Sequence, residues 1–156
     1  MRGDKRAKRH KPADQVATEA LIFDGDAASV RGGLMDLFSS PLLAGLSDDS
    51  RGEVEIVLAE VMNNIAEHAY ASFPGKIQAW ITAHDGFLFV RLVDSGLPMP
   101  GGEPPGGKLT EATKIQDLPE GGFGWFLIRS LTQDLTYLRE GDRNTLSFCM
   151  GVDYRA

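Results

Sequence analysis

The sequence predicts a two-layer α/β sandwich, a mostly antiparallel, mixed sheet covered on one face by three helices. Two pairs of apolar-rich segments are each joined by a short glycine turn, Asp85-Gly86 and Glu140-Gly141-Asp142, and so mark hairpins. Three other segments repeat apolar residues at helical spacing. Adjacent hairpins favour an antiparallel sheet, and three amphipathic helices suffice to cover one side of it. With 156 residues, 42% hydrophobic and 24% charged, the chain has the size and balance of one domain.

In chain order, Thr18 to Phe23 is a short apolar-rich run stopped by Asp24-Gly25, an entry strand and its turn. From Asp26 the spacing becomes helical, with Val30, Leu34, Leu37 and Phe38 on one stripe and Pro41 near the end. Asp48 or Asp49 is expected to cap a second helix, whose apolar face is Val54, Val57, Leu58, Val61, Met62 and Ile65. Phe73-Pro74-Gly75 breaks it. Lys76 to Ala83 alternates as a strand, Asp85-Gly86 turns, and Phe87 to Val93 returns. Residues 94–119 then hold five of the eight prolines and no periodicity, which suggests a functional lid or a disordered loop. Phe123 to Leu131 is helical again, and strands near Leu135 to Arg139 and Asn144 to Met150 close the chain.

Charge is unevenly spread. Of 16 basic and 22 acidic residues, six and one lie within residues 1–11, leaving 10 and 21, a net −11, for the rest. Residues 1–15 therefore read as a basic, solvated and disordered tail, with contact to an anionic partner as the alternative, and residues 16–156 as the folded domain. An acidic body is a poor platform for phosphate backbones, so direct nucleic-acid binding is not expected. No apolar run approaches the roughly 18 residues of a membrane helix, and no signal peptide is visible, so a cytoplasmic location and no membrane association are expected. Cys149, the single cysteine, sits in an apolar run and reads as a small buried hydrophobe.

Three pieces could carry chemistry. Glu60, Asn64 and His68 recur every four residues along one edge of the second helix, pairing a carboxylate that can take a proton with an amide oxygen that can ligate Mg²⁺. The same stripe could be the solvated side of an amphipathic helix. Asp94-Ser95-Gly96 ends an apolar strand; the aspartate could simply cap a turn, or it could accept a hydrogen bond from an exocyclic amine while Gly96 admits a base. Gly121-Gly122-Phe123-Gly124 leads directly into a helix, where the glycines could serve only the turn or could present amides to phosphate. This is not a phosphate loop of the Walker type, since no Lys-Ser or Lys-Thr follows.

In this order, Glu60-Val61-Met62-Asn63-Asn64-Ile65-Ala66-Glu67-His68-Ala69-Tyr70, Val93-Asp94-Ser95-Gly96-Leu97-Pro98 and Gly121-Gly122-Phe123-Gly124-Trp125-Phe126-Leu127-Ile128 resemble the N, G1 and G2 boxes of the ATPase superfamily shared by gyrase, Hsp90, histidine kinases and MutL. The finer resemblance is to the RsbW/SpoIIAB family of anti-sigma-factor serine kinases, and Asn144-Thr145-Leu146 is similar to that family's last strand. The resemblance covers nearly everything from about residue 18 onward. It implies a Bergerat-type ATP-binding fold, a serine/threonine protein kinase, and ATP with Mg²⁺ as cofactors. It further implies that Glu60 is the general base, Asn64 the Mg²⁺ ligand, and Asp94 the adenine reader with Gly96 against the base. Gly121, Gly122, Phe123 and Gly124 would support the phosphates, and Thr145 would assist adenine recognition. The implied partners are a STAS-type anti-sigma-factor antagonist, a sigma factor, and a second copy in a homodimer, with Val30, Arg31 and Leu34 where relatives make such contacts, although an apolar stripe at this spacing is core more often than interface. Lys108, Thr110 and Lys114 are all candidates for a lid contact with phosphate. Trp125 reads as core packing, and His68 as a helix-end histidine. A non-catalytic ATP/ADP-binding module that switches a partner surface is the alternative.

Overall fold

The structure, a computed structural model, describes residues 16–105 and 122–156. The tail at 1–15, Gly121, and the candidates Lys108, Thr110 and Lys114 lie outside the described residues. Among the described residues there are five strands, β1 (Ala17–Asp24), β2 (Lys76–His84), β3 (Phe87–Asp94), β4 (Gln133–Glu140) and β5 (Arg143–Gly151). They form one sheet in the order β1-β2-β3-β5-β4, and every described pairing is antiparallel. The α-helices among the described residues are α1 (Ala27–Ser39), a single turn α2 (Pro41–Ala44), α3 (Asp48–Asn64) and α4 (Gly122–Leu131). The short α2 comes in addition to the three expected. No helix among the described residues is long and apolar enough to cross a membrane.

Local chemistry explains the boundaries. Asp26 caps α1 by accepting from the Ser29 N–H at 2.9 Å. The cap of α3 is Ser47, which accepts from Ser50 N–H, and the expected caps Asp48 and Asp49 instead occupy the first turn. There their charge suits the positive end of the helix. Asp85 and Gly86 both take positive φ, 50° and 77°, the backbone that a two-residue hairpin turn requires.

Alternation divides the sheet into two faces. Ile77, Ala79, Ile81, Leu88, Val90, Leu92, Leu146, Phe148 and Met150 are buried beneath the helices, as are Val54, Val57, Leu58, Val61 and Met62 of α3. Burying each large side chain contributes about 1.5–3 kcal/mol. Val30 of α1 belongs to this core and Leu34 is half-buried, as a core reading of their apolar stripe expects, while Arg31 is exposed. Trp125 and Cys149 are buried as expected. The opposite face carries no helix among the described residues and holds a groove of about 580 Å³ lined by Trp80, Phe89, Arg91, Asp134, Thr136 and Cys149, among others. The Arg91 guanidinium stacks 4.5 Å over the Trp80 ring there.

Candidate functional site

The site is assembled along α3. Its helical winding widens after Asn64 into a π-helical turn, Ile65–Ala69, closed by the Tyr70 N–H donating to the Ile65 carbonyl at 3.1 Å. The wider turn breaks the four-residue phase. Glu60 and Asn64 stay half-buried on one stripe, whereas His68 is exposed. The turn also frees the Ala69 carbonyl, which accepts from Leu97 N–H at 2.7 Å. Gly96 packs so closely there that a Cβ would lie 2.4 Å from the Ala69 oxygen. Tyr70 fastens the same corner, its hydroxyl accepting from Ser95 N–H at 2.9 Å and donating to the Lys76 carbonyl.

At the other end of the stripe, Gly124 of α4 rests on Glu60. A Cβ on Gly124 would stand 2.5 Å from the Glu60 carboxylate oxygen Oε2. Gly124 and the Glu60 carboxylate, 64 positions apart in the chain, are thus in direct contact. Glu60 and Asn64, four residues apart, are separated by roughly 6 Å at the α-helical rise, and the π-helical turn carries the chain further to Ala69. The site therefore has an order: the Asp94-Gly96 turn at one end of this stretch, Asn64 between, Glu60 with Gly124 at the other. Gly122 begins α4, and Phe123 is exposed with its ring 6.3 Å from that of Phe126.

Asp94 is 5% exposed, and its Oδ1 accepts from Gly96 N–H at 2.9 Å and from the Asn144 amide at 2.8 Å. Burial pushes its carboxyl above the ordinary range, while Asn144, the Gly96 amide and the nearby Arg139 charge pull the other way. Among the described residues no hydrogen bond falls on Oδ2.

Asn144 was not among the expected site residues. It pairs with Asp94 across β3 and β5 and is 3% exposed. The signal was available: Asn144 is in phase with the core residues Leu146, Phe148 and Met150, and a polar residue in a core phase has to find a polar partner. Thr145 pairs with Val93 and lies on the opposite face, in phase with Ser147 and Cys149. The structure does not bring it to Asp94.

The Asn64 side chain bears on metal binding. Its Nδ2 is buried without a hydrogen-bond partner among the described residues, so packing rather than a polar network holds this amide. No group of three or more His, Cys, Asp or Glu among the described residues is placed to hold a metal ion. The single amide oxygen of Asn64 suits magnesium arriving with phosphate oxygens and water, since that ion is commonly bound through few protein ligands.

Comparison with known proteins gives the following. Residues 23–150 match the family model described as histidine kinase-like ATPase domain. Serine-protein kinase RsbW of Bacillus thuringiensis (strain Al Hakam) and of Bacillus cereus (strain AH820) are each 24% identical over 98 residues, 62% of this chain and 61% of the relative. The chain thus spans about 61% of the length of the curated relatives it matches. The histidine kinase AdeS of Acinetobacter baumannii superposes with a TM-score of 0.43 at 16% identity, covering 86% of this chain and 68% of that one.

Proposed function

The chain belongs to the histidine kinase-like ATPase domain family, and from that premise we propose that it binds Mg-ATP and transfers the γ-phosphate to a serine of a STAS-type anti-sigma-factor antagonist. One observation carries the reading, the order along α3. A nucleotide lying on this helix would set its base at the Asp94-Gly96 turn, its phosphates past Asn64, and its γ-phosphate near Glu60 and Gly124.

In this reading Asp94 accepts from the adenine 6-amino group, and Gly96 admits the base. The amides of Gly122, Phe123 and Gly124 lie at the positive end of α4, which favours phosphate, and Gly121 precedes them in the chain as a further candidate. Asn64 offers its amide oxygen to Mg²⁺, which when bound neutralises charge on the phosphates. Glu60 takes the proton of the serine hydroxyl as that oxygen bonds to the γ-phosphorus. The bond from the γ-phosphorus to the β-phosphate bridging oxygen breaks, and ADP leaves. Positioning and charge neutralisation do most of the work in such a transfer.

The name of the relatives, serine-protein kinase, supports transfer to serine. A module that only senses ATP or ADP would not need a carboxylate held against Gly124, so the Glu60 to Gly124 contact favours catalysis over mere binding. A cytoplasmic homodimer that sequesters a sigma factor when not engaged with the antagonist completes the proposal. The test is incubation with γ-labelled ATP, Mg²⁺ and candidate antagonist domains from the same genome, for wild type and Glu60→Gln. Label is expected on a partner serine, falling by about 100-fold or more in the variant while Mg-ATP still binds. Equal labelling by both proteins would remove Glu60 from the mechanism.

A further inference from the structure

The edge strand β4 reaches into the Asp94 cluster with two side chains. The Tyr137 hydroxyl donates to the Asn144 oxygen at 2.5 Å and accepts from Met99 N–H at 2.9 Å. Arg139 Nη1 donates to the same Asn144 oxygen at 3.0 Å and to the Gly96 carbonyl at 2.7 Å. The Asn144 nitrogen then faces only acceptors, Asp94 Oδ1 at 2.8 Å and the Leu97 carbonyl at 3.0 Å. The Gly96 carbonyl stands 3.4 Å from that nitrogen as well, and an amide with two donors on its oxygen and only acceptors on its nitrogen has one allowed orientation. Asp94 Oδ1 is in turn filled by Asn144 and Gly96 N–H, which leaves Oδ2 as the carboxylate oxygen with no donor among the described residues.

We propose that Asn144, oriented by Tyr137 and Arg139, is a positioning residue that presents Asp94 as an acceptor at Oδ2 and so selects a purine bearing a 6-amino group over one bearing a 6-oxo group. This rests on the ATP-binding reading above. A 6-amino group donates to the free oxygen. A 6-oxo group would set an acceptor against an acceptor and lose the hydrogen bond that the 6-amino group makes. The orientation cannot reverse, because turning the Asn144 amide would set its nitrogen against the donors of Tyr137 and Arg139 and its oxygen against Asp94.

The experiment measures affinity by calorimetry for three magnesium nucleotides: ATP, inosine triphosphate, and purine riboside triphosphate, which lacks any 6-substituent. The proteins are wild type, Asn144→Ala, Tyr137→Phe, Arg139→Gln and Arg139→Lys. Wild type is expected to bind ATP about tenfold or more tightly than either analogue. Asn144→Ala should bring ATP down to the level of purine riboside triphosphate while leaving that analogue's affinity nearly unchanged. Tyr137→Phe and Arg139→Gln should narrow the same ratio, and Arg139→Lys should restore part of it. A merely structural loss would weaken all three nucleotides together. The isosteric Tyr137→Phe decides the matter if Asn144→Ala does not fold. Wild-type discrimination that survives in every folded variant overturns the proposal, as does a wild type that binds ATP and purine riboside triphosphate equally. A wild type that binds none of the three overturns the ATP reading instead.

Discussion

Asp94 shows what one buried carboxylate contributes. Its folded pKa lies above the ordinary aspartate value of 3.8 because burial disfavours the charge more than its hydrogen bonds and Arg139 favour it. A carboxyl that holds its proton more tightly when folded stabilises the protein fully below the unfolded pKa, and that contribution is lost as pH rises through the folded pKa. The urea midpoint of wild type should therefore fall relative to Asp94→Asn as pH climbs from below 3.8 to neutrality. A constant gap between the two proteins would contradict the upward shift. Affinity for ATP has the opposite trend, since the base is read by the ionised form. It should begin to weaken, on acidification, at a higher pH than an ordinary aspartate would dictate.

Two glycines at element ends separate packing from chemistry. In Gly124→Ala the new methyl meets the Glu60 carboxylate, the far end of a flexible side chain. That end can move aside. The urea midpoint should correspond to a change within about 1 kcal/mol, while phosphoryl transfer falls by tenfold or more, on the order expected when a reacting group is displaced by about an ångström. In Gly96→Ala the methyl meets the Ala69 carbonyl, which is backbone and already engaged with Leu97. Here stability should drop by about 1–3 kcal/mol, with ATP binding lost along with it. Equal stability of the two variants would mean that the π-helical turn yields as readily as a side chain does.

At the scale of the molecule, a ligand that binds only the folded state raises stability by mass action, about 2.7 kcal/mol at a hundredfold excess over its dissociation constant. Thermal midpoints should rise with ATP and rise further with Mg²⁺. In Asn64→Ala the magnesium-dependent increment should shrink while the magnesium-free one persists. An increment unchanged by the substitution would take Asn64 out of the metal site. The C-terminal residues belong to this scale as well. Ser47 N–H donates to the Asp153 carbonyl at 2.8 Å, and Arg155 N–H to the Gly45 carbonyl at 2.9 Å, so the chain end holds the start of the helix that carries Glu60 and Asn64.

Much of this was legible in one dimension. Periodicity is a local property, so the five strands, three of the helices and most of the core followed from residue spacing alone. So did the Glu60 and Asn64 stripe, because one helical turn joins them. The Asp85-Gly86 hairpin was legible because a two-residue turn leaves its strands only one way to pair. What residue spacing could not decide was which face of β5 meets Asp94. A shift of one residue in strand pairing exchanges the faces, and tertiary pairing put Asn144, not Thr145, beside the carboxylate. The π-helical turn that removes His68 from the stripe follows no spacing rule either. Contact between Gly124 and Glu60 depends on how α4 packs on α3, a long-range event that no local pattern encodes. The sequence by itself determined the elements and the chemical groups. The tertiary structure alone decided which of those groups share a site, because burial and register act between segments far apart in the chain.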